Sequence, residues 1–150
     1  MSAPLTLVSE RWVSGSPEQV WEVLLDAGAW VRWCGAVRAV HTVPEGWVPG
    51  ERLSFTLAMG PGVPVRFDVT LQTVDPPREV RWTSTKWWGV RGTRTFRIVP
   101  EGEGVRVFDE KCFESRIWPV GWVYPRGAVG RMSDRWLADL AAEVARRSSL

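Results

Sequence analysis

Histidine is nearly missing from this 150-residue chain: His41 is the only one, and the two cysteines, Cys34 and Cys112, lie far apart. Neither cysteine belongs to a CxxC pair, so the spacing that zinc needs is absent and no metal site is expected. Both thiols are read as reduced. With His41 the sole candidate base and no G-x-S-x-G elbow, Ser-His-Asp catalysis is disfavoured. There is no G-x-G-x-x-G fingerprint or phosphate loop either, and no cofactor is expected. Nowhere do 18 apolar residues run together, which argues against a membrane-spanning helix. The opening MSAPLTLVSERWV has neither the basic start nor the apolar run of a signal peptide. The expectation is a soluble, cytoplasmic protein.

Lysine is also scarce. Of 19 basic residues only Lys86 and Lys111 are lysine; the others are arginine, set against 17 acidic residues for a net charge of +2. That balance gives no electrostatic reason to expect nucleic acid as a partner. Repeats, low-complexity tracts and charge blocks are absent. A chain of this length is most simply one domain spanning 1–150, and it can bury roughly 70% of its unfolded surface without a disulfide or metal.

Tryptophan is what the chain has in excess, eleven in all. Three of them, Trp21, Trp30 and Trp33, fall within SPEQVWEVLLDAGAWVRW. Ser16 can cap a helix there, Pro17 suits its first position, and Gln19 completes a capping box. Val20, Val23 and Leu24 form the apolar stripe, broadened by Trp21 and Leu25, and Gly28 fits a helix-ending position. A second short helical turn should hold Trp30, Trp33 and Cys34. LTLVSERWV, before this segment, reads as a strand.

The period then changes from helical to alternating. Leu53, Phe55, Leu57 and Met59 alternate with mostly polar neighbours. So do Phe67, Val69 and Leu71, then Val80, Trp82, Ser84, Lys86 and Trp88, then Phe96 and Ile98, then Val105 and Val107. Residues 36–43 give a less regular strand. Turn residues separate these runs at Pro44–Gly46, Gly60–Gly62, Asp75–Pro77, Gly89 and Gly102–Gly104, which predicts an antiparallel meander. Helical spacing returns at the end, where Met132, Trp136, Leu140 and Val144 recur every four residues. Trp122 and Val129 extend that stripe back towards Pro119, with Pro125 as a kink or a delayed start.

Several segments together resemble the START-like, or SRPBCC, superfamily. SPEQVWEVLLDAGAWVRWCGAVRAV is similar to its opening, including a D-x-x-x-W-x-x-W pattern at Asp26, Trp30 and Trp33. Gly50 in VPGERLSF, the Pro76-Pro77-Arg78 turn before Trp82, GEGVRV with Val105 in place of the usual Thr, and RWLADLAAEV complete the likeness. The nearest branch is the polyketide cyclase/dehydrase type. The resemblance implies an α+β helix-grip fold. In it a curved seven-stranded antiparallel sheet wraps a long C-terminal helix, two short helices lie between strands 1 and 2, and a cavity lies between sheet and helix.

Strand parity then points Phe55, Leu57, Phe67, Val69, Trp82, Trp88 and Phe96 inward, to meet Trp122, Met132, Trp136 and Leu140 of the long helix. These residues are either plain core or the walls of a ligand site. The polar residues of the same parity are Ser84, Lys86, Arg94, Asp109 and Lys111. They form either a polar cluster at one end of the cavity or a solvated rim. A bulge in FDEKCFE would turn Glu110 and Glu114 inward instead. Trp33 is expected in the cavity wall and Trp30 in a lid or on the surface. Trp87, opposite in parity to Trp88, is a candidate homodimer surface.

Three functions remain open. The leading one is binding of a small hydrophobic molecule such as a lipid, isoprenoid or aromatic polyketide. The second is a cyclase or dehydratase with Asp109 or Glu110 as base and Arg94 as enolate stabiliser. The third is a protein-interaction or co-chaperone-like module using Arg81, Arg91, Arg97 and Trp87.

Overall fold

A computed structural model describes residues 4–58, 64–85, 89–116 and 126–150. Strand β1 (Leu5–Ser14) leads to helix α1 (Pro17–Leu25), and a 3-10 turn (Ala27–Ala29) runs into the short helix α2 (Trp30–Trp33). Strands β2 (Val37–Thr42), β3 (Arg52–Leu57), β4 (Val65–Asp75), β5 (Glu79–Thr85), β6 (Val90–Glu101) and β7 (Gly104–Ser115) follow. Helix α3 (Arg126–Ser148) closes the chain. All seven strands form one antiparallel sheet in the order β1-β7-β6-β5-β4-β3-β2, with α3 against β1 and β7. This is the α+β helix-grip arrangement.

Local chemistry starts α1 where the sequence suggests. The Ser16 hydroxyl accepts from the Gln19 amide at 3.2 Å, and the Ser16 amide donates to Gln19 Oε1 at 2.8 Å, so both halves of the capping box form. Alternation along β6 and β7 puts Phe96, Ile98, Val105 and Val107 inside. On α3 the four-residue spacing buries Met132, Trp136, Leu140 and Val144 together. Glu143 answers Arg146 and Arg147 near the end of that helix.

The two tryptophans of α2 occupy the reverse of their expected places. Trp30 is neither lid nor surface: its relative exposure is 0%. Its indole lies 5.3 Å from Trp136, 5.7 Å from Phe55 and 6.1 Å from Trp82, ring centre to ring centre, and its Nε1 donates to the Leu24 carbonyl at 2.9 Å. The helix starts at Trp30 immediately after the 3-10 turn, so its first side chain is aimed into the grip. Trp33 comes three positions later and is only partly buried, with its ring edge against Trp136 at 6.5 Å. Trp21 packs partly buried against the same core.

The corner between α2 and β2 is tied to α3 by two side chains one helical turn apart. The Gly35 amide donates to Asp139 Oδ2 at 2.8 Å. The Arg135 guanidinium lies so flat on Gly35 that a β-carbon there would sit 2.3 Å from Nη2. A larger residue there would push this exposed guanidinium aside.

Trp30→Ala removes the centre of this aromatic cluster and is expected to lower unfolding free energy by about 3–5 kcal/mol. Trp33→Ala should cost clearly less, because that ring keeps part of its surface in solvent. Urea denaturation of both variants measures the difference.

Candidate functional site

Three charged side chains meet inside the grip, and strand register puts them there. Arg94 of β6 stands opposite Lys111 of β7, and Asp109 lies two residues back on the same face of β7. Neither the β1–β7 nor the β6–β7 ladder is shifted, so FDEKCFE carries no bulge. The carboxylates that a bulge would have turned inward therefore face out: Glu110 accepts from Arg97 Nη2 at 3.0 Å, and Glu114 is exposed. Glu110 is thereby removed as a base for cavity chemistry.

Asp109 has 1% relative exposure. Arg94 grips it with both prongs, Nε to Oδ1 at 2.9 Å and Nη2 to Oδ2 at 2.7 Å. This parallel fork is the strongest common form of the pair. Lys111 Nζ donates to the same Oδ2 at 3.1 Å and also contacts Ser133 Oγ on α3. The guanidinium sits over two aromatic rings, 4.5 Å from the centre of Phe96 and 4.2 Å from that of Trp136.

Burial and charge set the protonation states. Burial alone would raise the Asp109 pKa, but the fields of Arg94 and Lys111 and the hydrogen bonds from both reverse that and hold it below the usual carboxylate range. The Lys111 pKa is lowered too, which for an amine disfavours the charged form. Burial, then repulsion by Arg94, brings it down to about 8, against the pull of Asp109 and, more distantly, Asp134. Two cations thus face one carboxylate, with one positive charge in excess whenever Lys111 is protonated.

The cluster borders a cleft between sheet and helix. Phe55, Leu57, Phe67, Val69, Trp82 and Met132 line it with apolar surface; Ser84, Arg94 and Lys111 supply the polar end. The cavity volume is about 50 Å³, enough for a few waters. Phe96, Trp136 and Leu140 lie deeper, in the packed core. Trp33 lines no part of the cleft and faces a separate groove further along α3 with Arg32 and Asp139. Met59, Lys86, Trp87, Trp88, Trp122 and the 119–125 stretch fall outside the described residues.

Sequence reading missed the lining residues Gly92, Thr93, Phe113 and Val129, and Ser133, which contacts Lys111 from α3. Gly92 had a usable sign, being a glycine inside the inward series Val90, Gly92, Arg94, Phe96. A strand glycine often marks close approach of another group. A β-carbon at Gly92 would meet Phe113 at 3.4 Å and Ser84 Oγ at 3.7 Å, so its missing side chain leaves part of the space.

Among the described residues no group of three or more His, Cys, Asp or Glu is arranged to hold a metal. Cys34 is buried, which pushes its thiol up to about 11 and leaves it a poor nucleophile.

Two measurements test this electrostatic picture. Asp109→Asn strands two buried cations and is expected to cost about 3–5 kcal/mol of stability in urea unfolding. The second is pH dependence. Because folding lowers the Lys111 pKa from 10.5 to about 8, the unfolded chain binds more protons between those values. Stability should therefore rise with pH from about 8 to 10.5, and Lys111→Met should lose that rise.

Known proteins share this architecture. The family model described as "Polyketide cyclase / dehydrase and lipid transport" matches residues 5–145. No curated protein matches the chain. Among solved structures, TTHA0849 of Thermus thermophilus is 21% identical with a TM-score of 0.79, the alignment covering 96% of this chain and 99% of that one. Zhui aromatase/cyclase of Streptomyces sp. R1128 is 18% identical with a TM-score of 0.77, covering 97% and 96%. A norcoclaurine synthase point mutant of Thalictrum flavum, in complex with a transition-state analogue, is 18% identical with a TM-score of 0.75, covering 99% and 98%. At these identities the structural likeness is one of fold. The family match runs almost from end to end, and the chain belongs to the polyketide cyclase/dehydrase and lipid transport family.

Proposed function

We propose that this protein binds a small hydrophobic molecule with an oxygen-bearing group at one end. The apolar body lies against Phe55, Leu57, Phe67, Trp82 and Met132, and the oxygen meets Lys111 and Arg94. The observation that carries this reading is the uneven charge count at the end of an apolar cleft. One carboxylate faces two cations, and an electron-rich ligand oxygen supplies what is missing. Apolar burial gives affinity, and the cations fix which way round the ligand sits. A ligand larger than the present cavity makes room by displacing Met132, whose unbranched side chain repacks readily.

The cyclase or dehydratase reading is second, supported by the family and by the aromatase/cyclase among the structural neighbours. Asp109 suits it poorly as the base. It is saturated by Arg94 and held ionised below the range where a base near neutrality works best. The protein-interaction reading rests on surface arginines that already have neighbours: Arg97 bonds Glu110, and Arg81 donates to Thr95 at 3.1 Å.

Native mass spectrometry of protein purified from its own host should show a retained small molecule. An apolar fluorescent sulfonate, anilinonaphthalene sulfonate, should bind with enhanced emission, and Gly92→Leu should weaken that binding by roughly ten-fold or more by filling the cleft. The reading fails if the protein carries no added mass and the dye's affinity is the same in both forms.

A further inference from the structure

Lys111 occupies a place that a chain so rich in arginine fills with lysine only here among its described residues. An arginine cannot become a free nucleophile; a lysine in a dry pocket can. Resting on the binding reading above, we propose that Lys111 captures carbonyl-bearing hydrophobic ligands, aldehydes or reactive ketones, as a reversible imine.

The geometry supports this from several sides. Arg94 alone satisfies both oxygens of Asp109, so Lys111 is the surplus cation of the cluster. Loss of its proton leaves a neutral Arg94–Asp109 pair and strands no charge. The groups facing Nζ are Arg94 from β6, Asp109 on its own strand, and Ser133 with the more distant Asp134 from α3; β1 places Leu7 opposite Lys111. Burial and Arg94 bring the amine down to about 8, so roughly a tenth is unprotonated at neutral pH. Lys111 and Arg94 line the same cleft, so a carbonyl seated there meets an amine nucleophile and a guanidinium that polarises its oxygen.

The step balances without any oxidant or reductant. The Nζ lone pair attacks the carbonyl carbon, and the C=O π electrons move to oxygen, which takes up a proton. The resulting carbinolamine expels its hydroxyl as water, with the Nζ protons leaving through the Ser133 hydroxyl. The product is a C=N bond plus one water, and hydrolysis reverses it.

The test uses the intact chain, cinnamaldehyde as the apolar aldehyde, and cyanoborohydride to trap the imine as a stable secondary amine. Peptide mass mapping then reads three competing amines: Lys111, Lys86 and the N-terminus. The expected result is trapping at Lys111 roughly ten-fold or more faster in folded than in urea-unfolded protein at the same pH. The rate should climb as pH passes through about 8, and bound anilinonaphthalene sulfonate should slow it. Lys111→Arg should abolish the adduct at that position. Adducts confined to Lys86 or the N-terminus, or Lys111 trapped no faster folded than unfolded, would overturn the proposal. If the dye binds and Gly92→Leu weakens it while Lys111 stays unmodified, the imine is excluded and the binding reading stands. If the dye does not bind and no adduct forms, both fall.

Discussion

A carboxylate shut away from water has to be neutralised where it lies, and in this protein that requirement falls on Asp109. Its isolated burial would be prohibitive; its capture by Arg94 and Lys111 makes it tolerable. The consequence reaches well beyond three side chains. β6 and β7 must pair so that Arg94 faces Lys111, because a slip of one residue would swap Asp109 for Glu110 on the inner face. The cluster therefore helps to define register across the two longest strands of the sheet. It also joins the two halves of the interior, since the guanidinium that grips the carboxylate is the one layered on Phe96 and Trp136.

From Trp136 the same chain of contacts runs outward through aromatic rings. Trp30 reaches Trp136, Phe55 and Trp82, and Phe55 stacks on Phe67 at 5.9 Å. One end of this series is dry packing around Trp30. The other end, at Phe67 and Trp82, is cleft wall. The abundance of tryptophan thus has two uses in one continuous cluster, filling the interior near α2 and walling a space near the start of α3. An arginine at the junction gives the wall its polar end.

Much of this was legible in the sequence because it rests on period and local chemistry. The capping box of α1, the alternation along β3 to β7 and the four-residue stripe of α3 each follow from rules that act within a few residues. Parity also put Arg94, Asp109 and Lys111 on one face, since the strands that carry them are long and unshifted. Trp30 and Trp33 could not be sorted that way. A helix of four residues after a 3-10 turn is too short for a period, and only the angle at which it enters the fold decides which ring goes inside. Gly92 was passed over because it has no side chain to register in a pattern of side chains. Ser133 was hidden next to the buried Met132. The division of labour between Arg94 and Lys111 was invisible for a different reason: it depends on which donor takes both carboxylate oxygens, a matter of tenths of an ångström.

The contacts of Arg135 and Asp139 at Gly35 also bear on the cleft wall. They fasten the α2–β2 corner to the middle of the long helix, so spreading the fold at that side would break the Gly35–Asp139 hydrogen bond and displace the Arg135 guanidinium together. Val37 pairs with Leu57 and the Ala58 amide donates to the Ala36 carbonyl at 2.8 Å, so this fastened corner adjoins the Leu57 part of the cleft wall. The long helix thereby gives that part of the wall a fixed backing.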